Sequence, residues 1–381
     1  MRNILLRFVF PVILLGSAQW AWADDNLVPL HSFSSTDGDF PDTLTSVGST
    51  LYGTTLFDGS NGAGTLFTIN FNGSGFQTLH SFTAFEGNVR NLRSIGSLLY
   101  GTTNYNVFAM NLDGSGFQSL HSFDIFDTSQ TLTSVGSKLY GTITNGSNGD
   151  SVFSMNLDGS DFQTIHSFDY PNVFGPNTLI AVGSSLYGTT TGNLGGTVFA
   201  MNLDGSDFHI LHSLNPNSEG YGTNDLISVG SALYGTTSFG GSNGGGTVFS
   251  MNLDGSGFQV LHSFDSSYTK PVLTVVGSTL YGTTINGGSN GHGTVFSMNL
   301  DGSDFQLIHS FDSLDGNGPN TLIAIGSTLF GTTAGGGTTG DGTVFKIAVP
   351  ELNSVVLLAS SAALVFALAT VQRFRIKSSR S

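Results

Sequence analysis

The chain has 381 residues, 26 of them acidic and 11 basic, for a formal net charge of -15. Every acidic residue lies between Asp24 and Glu351, with only Arg90, Arg93, Lys138, Lys270 and Lys346 opposing them. This body therefore carries 5 − 26 = -21, which repels phosphate backbones and argues against nucleic acid as a partner. There is no cysteine, so disulfides, thiolate metal sites and a thiol nucleophile are excluded. With only 10% charged residues but 31 Phe and 53 Gly, the composition is that of a packed all-β protein rather than a disordered one.

At the N-terminus, Arg2 and Arg7 precede an apolar run from Phe8 to Leu15, and Ala21 and Ala23 flank Trp22 as a small-x-small cleavage site. Residues 1–23 read as a signal peptide cleaved before Asp24, the other reading being an uncleaved membrane anchor.

Next comes Leu27 to Phe33, the first of seven copies of a segment ending His-Ser-Phe (His-Ser-Leu at 212–214), with its histidine at His31, His80, His121, His166, His212, His262 and His309. A Leu-Tyr-Gly-Thr marker recurs seven times, its aromatic at Tyr52, Tyr100, Tyr140, Tyr187, Tyr234, Tyr281 and Phe330. A Thr-Val-Phe marker recurs at Phe67, Phe108, Phe153, Phe199, Phe249, Phe296 and Phe345. Seven units of about 47 residues follow.

In the fifth unit the pattern predicts strand A at Asp225–Val229, a Gly230-Ser231 turn and strand B at Ala232–Thr237. A loop from Ser238 to Gly246 leads to strand C at Thr247–Leu253, and an Asp254-Gly255-Ser256 turn leads to strand D at Phe258–Phe264. Four short antiparallel strands per unit is the signature of a propeller blade. The last unit ends after strand C at Ile347, while Leu27–Phe33 is a D strand with nothing before it. The expected fold is therefore an all-β, seven-bladed β-propeller of four-stranded antiparallel blades over residues 24–348, its last blade completed by residues 27–33. An open solenoid would need capping units, and the sequence has none.

The Leu-Tyr-Gly-Thr-Thr, Gly-rich loop and Gly-Thr-Val-Phe succession from Leu44 to Ile347 resembles the GloVer tandem repeat of exported bacterial proteins with varied C-terminal anchors. The C–D hairpin is also similar to the quinoprotein-type propeller repeat, with His-Ser-Phe in place of the tryptophan usual there.

Strand order puts the A–B and C–D turns on one face of the disc and the B–C and D–A connections on the other. The first face is uniform. The second varies, notably at Ser34 to Asp42, Asp169 to Asn177, Asn215 to Asn224 and Asp312 to Asn320. A ligand site is expected on the variable face near the central channel, because uniform turns are explained by geometry alone.

The seven His-Ser-Phe histidines invite a metal or catalytic reading. Sitting at one position of the outermost strand, they are too far apart to share a site; each is expected to pack between blades with one ring nitrogen hydrogen-bonded. His209 and His292 are irregular, and His292, in a B–C loop, reads as solvated. The Asp-Gly-Ser turns, richest in carboxylates at Asp158/Asp161, Asp204/Asp207 and Asp301/Asp304, could suggest calcium, but hairpin chemistry accounts for them. Gly-rich loops such as Gly240–Gly246 lack the lysine and the following helix of a phosphate loop. No catalytic, metal or cofactor-binding residue is assigned.

At the C-terminus, Val349-Pro350-Glu351 leads into an uncharged apolar segment, Val355–Val371, followed by Arg373, Arg375, Lys377 and Arg380. Seventeen residues span roughly 25 Å as a helix, enough to cross a bilayer core if Leu352 and Asn353 are drawn in, with the basic tail cytoplasmic. A buried core helix is the other reading. Residues 349–381 resemble the PEP-CTERM sorting signal, with Leu352 at the position of its second proline. The resemblance implies export in a Gram-negative-type envelope and an exosortase-like processing partner. The expected function is a non-catalytic, membrane-anchored cell-envelope propeller that binds a surface partner such as extracellular polysaccharide or an envelope protein. The alternatives are a glycan lyase or hydrolase with its site on the variable face, and a purely structural spacer.

Overall fold

The computed structural model describes residues 27–123, 128–144, 149–168, 175–191, 195–265 and 270–349. The predicted signal peptide, with Ala21 and Ala23, lies outside them. So do Pro350, Glu351, the predicted helix 355–371 and the basic tail.

Seven four-stranded antiparallel sheets make up the described fold. Blade 1 runs Asp39–Val47, Thr50–Phe57, Gly62–Asn70, Gln77–Thr83; blades 2 to 6 repeat this order. Blade 7 consists of Asn317–Ile325, Thr328–Gly335 and Thr343–Ala348, with Leu27–Ser32 from the other end of the chain as its fourth strand. The latch pairs Leu27 with Ile347 and Ser32 with Thr343, and Phe33 N–H donates to the Gly342 carbonyl at 2.9 Å. Ring closure is as the sequence predicts. First strands of neighbouring blades touch all round the ring, so strand A is innermost and strand D forms the rim.

The markers have a packing logic. The glycine of each Leu-Tyr-Gly-Thr stands directly opposite the phenylalanine of Thr-Val-Phe, as Gly235 opposite Phe249. That ring lies over the bare backbone: a Cβ on Gly235 would fall 2.3 Å from it. All seven of these phenylalanines are fully buried. In blades 1, 4, 5, 6 and 7 the second threonine after the marker's glycine bonds the threonine at the start of strand C, as Thr237 with Thr247 and Thr333 with Thr343, satisfying hydroxyls that burial would otherwise penalise.

Several predicted boundaries move. In blade 5 strand A is Tyr221–Val229, four residues longer than its apolar pattern. An extra residue between Thr223 and Leu226 forms a bulge that lets the ladder continue towards the variable face. Strand B accordingly reaches Phe239, and strand D shortens to Gln259–Ser263. Blade 6 lacks this bulge, and its strand A is only Val272–Val276.

Six of the seven histidines stack on a phenylalanine of the next blade, and His309 meets Phe311 of its own segment edge-on. His31 stacks on Phe76 of the next blade at 3.6 Å and His262 on Phe305 at 3.8 Å. The sequence did not reveal the partner of their other face. His31 bonds Asp37 at 2.7 Å, His80 bonds Glu86 at 3.1 Å, His212 bonds Glu219 at 2.9 Å and His309 bonds Asp315 at 2.8 Å. Each of these acids also accepts from a backbone N–H at the start of its D–A turn, so the pair clasps that turn to the rim strand.

The Asp-Gly-Ser turns are explained by local geometry. Asp254 Oδ1 accepts from both the N–H and the hydroxyl of Ser256. The second carboxylates, Asp161, Asp207 and Asp304, hold the left-handed position (φ 54 to 58) that Gly75, Gly116 and Gly257 hold elsewhere (φ 67). Aspartate tolerates that conformation better than most residues.

Candidate functional site

Strand A enters the ring from the variable face, so the first residues of each A strand line the channel mouth. These residues form a hydrogen-bonded collar from blade to blade. Asn177 donates to the Thr223 carbonyl at 2.5 Å, and Asn224 to the Pro271 carbonyl at 2.7 Å. Asn320 donates to Asp42 Oδ1 at 2.6 Å, and Thr321 donates to the Asp42 carbonyl. Lower in the channel, Arg93 Nε donates to the Leu132 carbonyl at 2.7 Å. Much of the polarity around the axis is thus structural.

Asp225 belongs to that structural set. Burial pushes its carboxyl up, opposed by the N–H groups of Leu273 (2.7 Å) and Leu226 (2.9 Å) and by the charge of Arg93.

One sector of the mouth departs from this pattern. A cavity of about 590 Å³ opens there, lined by Phe40, Asp42 and Leu56 of blade 1, Arg90 of blade 2, Lys270, Ile285 and Asn286 of blade 6, and Asn317, Asn320 and Ala334 of blade 7. Its size falls within the ~300–1,000 Å³ of small-molecule sites. The predicted variable segments Ser34–Asp42 and Asp312–Asn320 both contribute to it. Of the other two segments, the described residues 175–177 and Asn215–Asn224 belong to blades 4 and 5 and do not line it.

Three features single out this cavity. First, Asp42 sits part-buried in its wall. Burial pushes its carboxyl up, against the Asn320 hydrogen bond and the charges of Lys270 and Arg90, which favour the ionised form. Second, Arg90 Nε is held by Asn104 Oδ1 at 2.8 Å, which fixes the guanidinium at the wall. Third, Phe40 (φ 59) and Lys270 (φ 39) have left-handed backbones. At the equivalent turn into strand A, blades 5 and 7 use Gly222 (φ 66) and Gly318 (φ 65). A side chain in this conformation costs on the order of 1–3 kcal/mol and gathers at functional sites.

Aromatic surface borders the cavity. Phe40 meets Phe57 edge-on, with centroids 6.1 Å apart, and Phe57 is 47% exposed. Asp39, Asp58 and Asp341 form an acidic group outside the lining, where burial and mutual repulsion push the Asp39 carboxyl up.

The cavity opens on the face the sequence singles out, but Arg90 and Lys270 were not among the residues it named for a site. The available signal was their scarcity: they are two of five cations in the body, each beside the start of an A strand. Among the described residues no group of three or more His, Cys, Asp or Glu is placed to hold a metal ion, and no helix is long and apolar enough to cross a membrane.

No protein-family model and no curated protein matches the chain. Solved structures do share its fold. An oligogalacturonate lyase in complex with manganese superposes with a TM-score of 0.59 at 14% identity, over 85% of this chain and 93% of that one. An oligogalacturonate lyase from Vibrio parahaemolyticus gives 0.59 at 14%, over 85% and 94%. A puromycin-hydrolyzing peptidase from Mycobacterium tuberculosis gives 0.59 at 10%, over 83% and 53%. At these identities the likeness is one of fold alone.

Proposed function

We propose that this protein is an exported, membrane-anchored cell-envelope propeller that binds extracellular polysaccharide without transforming it, at the channel-mouth cavity of its variable face. The observation that carries the reading is the cavity itself. Four blades contribute polar groups to it beside an aromatic pair of which Phe57 is exposed, and two of its residues hold backbones the fold elsewhere gives to glycine. Apolar rings suit the C–H faces of sugars, and asparagine amides suit their hydroxyls.

Export and anchoring rest on the two end segments, 1–23 and 349–381, and an exosortase-like protease remains the expected processing partner. The described fold supports a common attachment side. Leu27 begins the latch and Val349 ends the fold on the uniform face, where Val349 is buried and its N–H donates to Ser327 at 2.8 Å. An anchor there would leave the cavity pointing away from the membrane.

The test is a glycan array probed with the purified protein and its Asn320→Ala variant. Binding that the variant loses supports the reading; a spacer, or a receptor for an envelope protein, would bind no glycan.

A second reading, a glycan lyase or hydrolase, draws on Asp42, since a carboxyl pushed up by burial in a cavity is a candidate general acid or base. The enzymes among the fold neighbours are compatible with it. Release of shortened oligosaccharide that Asp42→Asn abolishes would establish this reading over the first.

A further inference from the structure

We infer that the cavity selects acidic oligosaccharides, whose carboxylate is held between Arg90 and Lys270; this rests on the glycan-binding reading above. The argument begins with charge accounting. The body has five cations against 26 acids. Lys138 pairs with Asp161 at 3.0 Å, and Lys346 donates to the Phe71 carbonyl at 3.4 Å. Arg93 is committed to the Leu132 carbonyl and faces the buried Asp225. The remaining two, Arg90 and Lys270, are both in this one cavity.

Neither makes an ion pair within 4 Å among the described residues. They reach the cavity from blades 2 and 6, with blades 7 and 1 between them, and so flank it. Asp42 lies between and feels both charges. Even with Asp42 ionised, the lining carries +1 on a body of -21, because its other members are neutral.

A neutral sugar gives such cations little. Their desolvation on ligand entry would go unrewarded, and Lys270 would hold its left-handed backbone where glycine serves in blades 5 and 7. A carboxylate changes the balance. It gains charge-assisted hydrogen bonds from the anchored guanidinium and the ammonium, in a concave site that focuses their field. The uncharged part of each sugar ring then meets Phe40, Leu56 and Ile285, and its hydroxyls meet Asn317 and Asn320.

The experiment titrates the full-length protein, in detergent, with galacturonate, mannuronate and glucuronate oligosaccharides. Each has a carboxyl-reduced counterpart of the same length, and a sulfated neutral oligosaccharide separates carboxylate recognition from general anion binding. Isothermal titration calorimetry at two salt concentrations is run on the wild type and on Arg90→Gln, Lys270→Gln, Lys138→Gln and Asn320→Ala.

The expected result is binding of at least one uronate oligosaccharide that weakens tenfold or more on carboxyl reduction, in Arg90→Gln, in Lys270→Gln and at higher salt. Lys138→Gln should leave it unchanged, and the unfolding midpoints of Arg90→Gln and Lys270→Gln should match the wild type, while Asn320→Ala, which also removes the bond to Asp42, should keep a single cooperative transition. Equal binding of reduced and acidic forms, lost in Asn320→Ala, would overturn acid selectivity while leaving the glycan site standing. Preference for the sulfated ligand would overturn the carboxylate assignment. Binding indifferent to every cavity variant, or no binding of any oligosaccharide, would overturn this inference and the proposed function together.

Discussion

Phe33 tests the closure of the ring more directly than any other residue. It directly follows the N-terminal strand, is fully buried, and packs on Phe67 and Phe76 of blade 1 with centroids at 5.0 and 5.7 Å. Its N–H bonds Gly342, and its carbonyl accepts from Thr339, both in blade 7. Phe33→Ala therefore empties a site between the last and first blades. Truncating a fully buried phenylalanine costs about 3–5 kcal/mol, a large share of the ~5–15 kcal/mol that holds a typical protein folded. Phe311→Ala, at the same repeat position but in mid-chain and also fully buried, is the control and should cost the same. Guanidinium chloride unfolding followed by far-UV circular dichroism measures both, with unchanged slopes licensing the comparison. A cost below about 1 kcal/mol for Phe33→Ala, with the full cost for Phe311→Ala, would mean that the terminal strand frays at no expense and that closure as described is wrong.

Gly235→Ala should destabilise by about 2–3 kcal/mol, because the new methyl must displace the Phe249 ring in a packed sheet; differential scanning calorimetry reads this as a lowered Tm. Glu219→Gln should weaken the clasp between His212 and the turn before blade 5, seen as faster amide hydrogen exchange at Asn215 with exchange at the equivalent Asp312 unaltered. Acid should undo the related clasps. Burial works to raise the Asp37 and Glu86 carboxyls, but hydrogen bonds from Ser34 and His31 and from Thr83 and His80 outweigh it and hold both below their ordinary values. A carboxyl lowered by folding contributes stability that is complete above its unfolded value, near 3.8 and 4.5 here, and is lost as the pH falls through its folded value. The stability gap between wild type and Glu86→Gln, from urea midpoints, should thus be full at pH 6 and shrink below about pH 4; an equal gap at pH 3 would contradict the clasp.

Much of this molecule could be read from its repetition. Seven copies of a glycine facing a phenylalanine, and an unpaired strand at each end, leave one compact way to bury the rings and pair the edges. Less legible was whatever breaks the repeat. The bulge before Leu226 carries no apolar signature, since Thr223, Asn224 and Asp225 read as loop, yet it lengthens strand A and sets the channel mouth. Asp37, Glu86 and Asp315 stand six residues beyond their histidines and Glu219 seven, a near-constant spacing that was legible but reads as loop composition until the turn is seen folded back on the rim strand. Arg90 and Lys270 are 180 positions apart in sequence, and only the circular order of blades makes them neighbours across one cavity. The variable face could be found from strand order; the sector of it that matters depends on where the ring is sewn shut.

That seam has a consequence in time. The cavity takes its walls from residues 40–90 and 270–335, and the Asn320–Asp42 bond joins positions 278 apart. A chain emerging in order from its N-terminus owns half of the site almost at once and the other half only near the end. The half-site stays open until blade 7 is complete and has captured the waiting strand at Leu27–Ser32. Under the proposed function, ligand binding would require completion of the ring, so an unfinished or prematurely truncated chain would not bind. Any molecule bound in the cavity would touch blades 1, 2, 6 and 7 at once, and so brace the one blade whose third and fourth strands are joined by hydrogen bonds alone.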